Sequence, residues 1–230
     1  MPAWQIDAQE YLKRLNLRPE EFQERLKLPD TGSVTKIIPL RDLVSIHSLI
    51  PISSDMVLYL LKQIRTLDSR MPFGNIRAQM VRMDPRQLKI GQKFVYRENY
   101  QKILEGVPDI FRRFMVTAGG LGDLGAYFVF GLNGDDRYAM ACYLPPIVEK
   151  QGTELVIMDG IHRNYIAKQA GLAVNAILVE GVELSFPCGI HDWSEITVIP
   201  LADKPKELAE RYFDLNKGLF RDLKYLGIDG

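Results

Sequence analysis

The run Leu155-Val156-Ile157-Met158-Asp159-Gly160-Ile161-His162-Arg163-Asn164 decides how this chain is read. Leu155 to Met158 is an unbroken apolar stretch of the kind a buried strand shows. Gly160 then permits a tight turn and a close backbone approach. A helical pattern follows over residues 161–170, and Gly171 stands just past its end, a favoured position for glycine. A helix that starts at such a turn leaves its first N–H groups without intrahelical partners, and its dipole favours an anion. Arg163 falls in the first turn, where a cation opposes the dipole unless an anion accompanies it; its guanidinium suits a phosphate. His162 adds a donor whose unperturbed imidazole titrates near neutral pH. Asp159, at the strand end, either caps the helix or holds Mg²⁺ between phosphates. The bland reading makes Asp159 only a cap, Arg163 a solvated charge and His162 a packing residue.

Working outward, residues 146–149 and 154–158 read as strands joined at Gln151-Gly152, and 174–179 as the strand after the helix. Residues 126–130 and 137–144 form a hairpin pattern about Asn133-Gly134, the strongest short turn signal in the chain. Residues 34–40, 78–84, 93–96 and 195–199 are further strand candidates. Helices are expected in two pieces over 5–28, broken near Arg18-Pro19, and from Ser53 or Ser54 onward with Met56, Leu60, Ile64 and Leu67 as the inward stripe. Residues 46–55 read as a loop. Residues 99–105 and 109–115 look like short helices, and 204–226 looks helical, with Leu208, Tyr212, Leu215, Leu219 and Leu223 facing inward. Strands and helices mixed in this order make an α+β (mixed α/β) protein.

The bulk numbers exclude several classes. The chain has 230 residues, 47% hydrophobic and 25% charged, the profile of an ordinary globular protein. Lys+Arg and Asp+Glu are both 29, so the basic excess usual in a duplex-DNA binder is missing. Cys142 and Cys188 are far apart, so no disulfide framework is expected and a cytoplasmic setting fits best. No signal peptide or membrane span is read in the sequence.

The apolar strand, the Asp159-Gly160-Ile161-His162-Arg163 turn, the helix ending in Ala170-Gly171 and the next strand resemble the ParB/sulfiredoxin superfamily. The close match covers about residues 144–180, and the pattern is nearest the Asp-Gly-x-His-Arg branch of free-serine kinases and Asp-Gly-Gln-His-Arg proteins. The resemblance implies a mixed sheet with flanking helices over 31–200, a large insertion at about 72–142, an N-terminal helical segment at 1–30 and C-terminal helices at 201–230. It implies that ATP or ADP (CTP as a further choice) with Mg²⁺ is bound, with phosphates at Gly160, Ile161, His162, Arg163 and Asn164 and the metal at Asp159. A phosphotransferase or nucleotide hydrolase is the expected activity, with Asp159 and His162 at the reacting group. Ile161 stands where sulfiredoxins carry their catalytic cysteine, which argues against that chemistry. The kinases' loop glutamate is missing too, leaving Asp55 or His47 to activate the acceptor, an unidentified small molecule or protein. The alternative is a ParB-like, DNA-associated binding protein in partitioning, regulation or phage defence. Against it stand the neutral charge and the lack of an evident helix-turn-helix after the motif.

Two other signals are weaker. Gly120-Leu121-Gly122-Asp123-Leu124-Gly125 matches a dinucleotide fingerprint in letters, but the strand-like residues after it suit a loop or lid instead. His191-Asp192 after Cys188 has the residue types of a transition-metal site, joined by His162 and Asp159, at a spacing that fits no standard one.

Overall fold

The computed structural model describes residues 4–26, 34–101 and 124–229. The principal strands run, in chain order, β1 Ile6–Asp7, β2 Lys36–Ile37, β3 Leu43–Pro51, β4 Arg77–Met83, β5 Phe94–Tyr96, β6 Tyr127–Asn133, β7 Tyr138–Tyr143, β8 Ile147–Gln151, β9 Glu154–Asp159, β10 Val174–Glu180, β11 Thr197–Ile199 and β12 Ile228–Asp229. The α-helices used below are α1 Ala8–Arg14, α2 Pro19–Leu26, α3 Ser54–Gln63, α4 Ile161–Ala170 and α5 Leu208–Arg211. Helices and sheets together make a mixed α+β fold. The chain divides into two compact units: residues 1–65, 125–144 and 222–230 form the first, and 66–124 with 145–221 the second.

In the first unit the sheet order is β1-β2-β7-β6-β3, with β12 also beside β7. The hairpin β6–β7 pairs Tyr127 with Tyr143 through to Leu132 with Tyr138. Its turn is held by Asn133, whose side-chain oxygen accepts from the N–H groups of Asp135 and Arg137. Strand β3 pairs antiparallel with β6 through two irregularities, and Gly131 is what lets it approach. A Cβ there would lie 1.8 Å from the Ser45 carbonyl oxygen. Helix α1 is capped by the Asp7 carboxylate and α3 by the Ser53 hydroxyl. Tyr11, Phe22 and Phe128 meet edge to face, with centroids 6.1 and 5.8 Å apart, in the core beneath.

In the second unit the sheet order is β9-β8-β10-β4. The pair β8–β9 is antiparallel and turns at Gly152, whose φ of 61° only glycine adopts easily. Strands β8 and β10 are parallel, and α4 is the crossover between β9 and β10. Beyond β9, Lys89 exchanges backbone hydrogen bonds with Leu155 and Ile157, covering that edge. Leu88, Ile90, Val95, Val148, Ile157, Ile161, Ala176 and Trp193 form the core between sheet and helix. A charged pair is buried in the same unit. Glu149 accepts from Arg221 Nε and Nη2, both at 3.0 Å, and Arg221 also donates to the carbonyls of Leu184, Ser185 and Leu219. Such a pair persists in an interior only when its hydrogen bonds are made.

Several expectations need correction. Residues 46–55 are not a loop, because Leu43–Pro51 is a nine-residue strand that ends two residues before the Ser53 cap. Its burial does not alternate regularly, owing to the two irregularities with β6. The strand expected over 34–40 shrinks to β2, and the helix from Ser54 ends at Gln63, leaving Leu67 outside it and 45% exposed. The described part of 201–230, expected to be helical, holds α5, short 3₁₀ turns and the two-residue strands Arg221–Asp222 and β12, with Asp214 at a positive φ of 41°. Within the described part of 72–142, β4 lies in the sheet of the second unit, whereas β6 and β7 are in the sheet of the first. Of the helix expected at 99–105, residues 99–101 are described and helical; the rest of it, the helix expected at 109–115 and most of the glycine-rich stretch 119–125 lie outside the described residues. No helix among the described residues is long and apolar enough to cross a membrane.

Candidate functional site

Strand β9 delivers Asp159 to the edge of the turn after an irregularity between Ile157 and Asp159 in its pairing with β8. Gly160 follows at φ 85° and ψ 29°, and α4 begins at the next residue. The turn is tight against Pro146: a Cβ on Gly160 would lie 2.8 Å from the Pro146 Cβ and 3.0 Å from its Cα. Only glycine meets both demands. The N-cap residue Gly160 makes no side-chain cap hydrogen bond, and the first N–H groups of a helix have no intrahelical carbonyl partners. Asn164 braces the turn from inside. Its backbone N–H and its Nδ2 donate to the Gly160 carbonyl at 3.0 and 3.1 Å. Its Oδ1 is buried and accepts no hydrogen bond.

Arg163 lies in this first turn with its side chain 8% exposed, so it is not a solvated surface charge. Its Nη2 donates to Asp159 Oδ2 at 3.2 Å. Burial pushes the Asp159 carboxyl above the usual range, while Arg163 and the Gly160 N–H pull the other way. The carboxylate thus does two things at once: it neutralises a buried cation and offers an oxygen at the helix start. It does not cap the helix in the ordinary sense.

His162 overturns one expectation. The Tyr96 backbone N–H donates to its Nε2 at 3.0 Å, and the two rings stack with centroids 5.6 Å apart. Burial, then the charges of Lys204 and Arg163, bring its pKa down to about 4. It therefore does not titrate near neutral pH, and at pH 7 it is a neutral imidazole. The buried Tyr96 hydroxyl has no hydrogen-bond partner, and Lys204 Nζ stands 5.1 Å over the Tyr96 ring. The Tyr212 phenol is pushed up by burial and then by the charges of Cys188, Asp159 and Tyr96.

The structure thus brings together Asp159, Gly160, Ile161, His162, Arg163 and Asn164, which the sequence places in line, with Tyr96, Lys204 and Tyr212, which it does not. Ile161 contributes its backbone, since its side chain is in the core. Tyr96 is 66 residues from His162, and no local spacing could have linked them. His47 and Asp55 belong to the first unit, and the turn to the second. His47 Nε2 lies 3.3 Å from Ser45 Oγ on β3, and Asp55 occupies the first turn of α3.

The His191 reading resolves differently. Its Nδ1 meets Glu195 Oε2 at 2.8 Å and its ring stacks on Phe213 at 3.8 Å. Among the described residues no group of three His, Cys, Asp or Glu side chains is placed to hold a metal ion. The metal site suggested for His191-Asp192 with His162 and Asp159 is therefore not formed among the described residues. A divalent ion at Asp159 would draw most of its oxygens from phosphates and water, which is how Mg²⁺ is commonly held at nucleotide sites. No family model, no curated protein and no solved structure matches this chain.

Proposed function

We propose that the second unit binds a nucleotide by its phosphates at the Gly160 turn, and that the protein is a nucleotide-dependent phosphotransferase or hydrolase. One observation carries this reading: a helix that starts at a left-handed glycine with no side-chain cap holds a buried arginine in its first turn. The uncapped helix start favours an anion, and the Arg163–Asp159 pair sets a guanidinium in the same turn. The Ile161 and His162 amides, the Arg163 guanidinium and the His162 ring would surround phosphoryl oxygens, and Asp159 would share Mg²⁺ with them. Catalysis of this kind rests on positioning and charge neutralisation. ATP and ADP are the first ligands to test, with CTP beside them.

The test is calorimetric titration of the protein with each nucleotide in the presence of Mg²⁺. Wild-type protein is expected to bind at least one of them, and Arg163→Ala is expected to lose about 2–5 kcal/mol of that affinity, a factor of roughly 30 or more. Equal affinity in the variant removes the turn from nucleotide recognition.

A further inference from the structure

Strand β4 is the outer strand of the second unit's sheet, at the opposite edge from β9, which leads to the Gly160 turn. Its residues pair without interruption with β10, from Arg77 with Glu180 to Met83 with Val174. Beyond that ladder, Arg82 aside, they make no backbone hydrogen bond among the described residues. Outer edges are usually blunted against pairing with other chains. The opposite edge is: β9 is irregular before Asp159, and Lys89 covers it. Strand β3, at an edge in the first unit, has two irregularities. Strand β4 has neither a bulge nor a proline, and it carries Met80 at its centre, 42% exposed. Met80 lies beside the buried Ile177 of β10, so apolar surface continues to the edge of the sheet.

We infer that β4 pairs antiparallel with β4 of a second copy of this chain, about a two-fold axis through Met80, joining two four-stranded sheets into one. Side-chain alternation restricts the register. A two-fold axis perpendicular to a sheet keeps paired residues on one face only when it passes between a residue and its own copy. With the axis at Met80 the whole strand is paired: Met80 with Met80, Gln79 with Val81, Ala78 with Arg82 and Arg77 with Met83. No other centre pairs the whole strand with itself. The charges agree. Arg82 and its copy then stand about 14 Å apart along the ribbon, and Arg77 and its copy about 20 Å, distances over which salt screens exposed charges. Centring on Arg82 or Arg77 sets like charges directly opposite each other. A second β4 suits this edge better than a free peptide, because its ladder with β10 already holds it extended and little ordering cost remains. The pairing adds roughly six to eight backbone hydrogen bonds and covers Met80.

Sedimentation equilibrium of the whole chain over a wide concentration range is expected to show a monomer–dimer equilibrium. Met80 is exposed, so a charge can be placed there without opening the core. Met80→Lys and Met80→Glu are each expected to raise the dimer dissociation constant about five- to tenfold, since two like charges then meet at the axis. Mixed in equal amounts, the two variants are expected to form a heterodimer tighter than either variant's own dimer, with Lys opposite Glu. Met71→Lys, at an equally exposed methionine outside the strand, should leave the wild-type constant unchanged. The inference is overturned by a chain that stays monomeric throughout, by a dimer indifferent to both Met80 substitutions, or by a mixture that associates no better than its components. Each of these results is separable from nucleotide binding at the Gly160 turn, which the calorimetric titration reads.

Discussion

Replacing Gly160 by alanine tests the turn at its most constrained point. At φ 85° an L-residue pays about 1–2 kcal/mol for the left-handed conformation. The new methyl would also stand 2.8 Å from the Pro146 Cβ and 3.0 Å from the Pro146 Cα and Arg163 Nη2. The guanidinium is the end of a flexible side chain and can yield, but the proline ring is fixed to the backbone that leads into β8. Relieving that overlap adds about 1–3 kcal/mol, as overpacking elsewhere does. The expected loss is therefore roughly 2–5 kcal/mol, read from urea denaturation at pH 7. Because the relief moves either Pro146 or the turn, ADP affinity should fall as well. Gly171 is the internal control: it has φ 67° but nothing within 4 Å of a Cβ. Gly171→Ala should cost only the conformational share, about 1–2 kcal/mol, and leave ADP binding unchanged. If the two variants lose equal stability and bind ADP equally well, close approach at Gly160 plays no part and the reasoning fails.

The buried Glu149–Arg221 pair makes a separate, pH-dependent prediction. In wild type, burial pushes the Glu149 carboxyl up while Arg221 and Gln151 pull it down. Arg221→Met removes the larger of the two downward influences, so the folded-state pKa rises further above its unfolded value. Protonation then favours the folded form: the variant's deficit is smallest at acid pH and grows as pH rises through the folded pKa. At pH 7 the expected loss is about 3–5 kcal/mol, and adding Glu149→Gln to the same chain should recover much of it. Urea denaturation at pH 7 and pH 4.5 checks both statements; a deficit that is larger at the lower pH contradicts them.

What was legible in the sequence followed from local rules. Periodicity and turn chemistry located α4 to the residue, because Gly160 and Gly171 bracket it and each sits at a positive φ. The β6–β7 and β8–β9 hairpins were equally readable from Asn133-Gly134 and Gly152. Strand β3 was hidden because irregular pairing with β6 breaks its alternation, and Ser45, His47 and Ser48 dilute its apolar pattern. The C-terminal stretch misled in the opposite direction: its leucines recur at helical spacing, but Tyr212 bridges to Gln92 and the chain turns at Asp214.

The site divides along the same line. A glycine turn, a first-turn arginine and an aspartate at the strand end are properties of one short segment, so the sequence alone determined where an anion is favoured. Ionisation state is a property of surroundings, and those come from distant segments. Tyr96, Lys204 and Tyr212 reach the turn only through the packing of the second unit. The tertiary structure therefore decided that Arg163 is buried against Asp159, and that His162 accepts from the Tyr96 amide with its pKa brought down by burial where its sequence position promised a group titrating near pH 7.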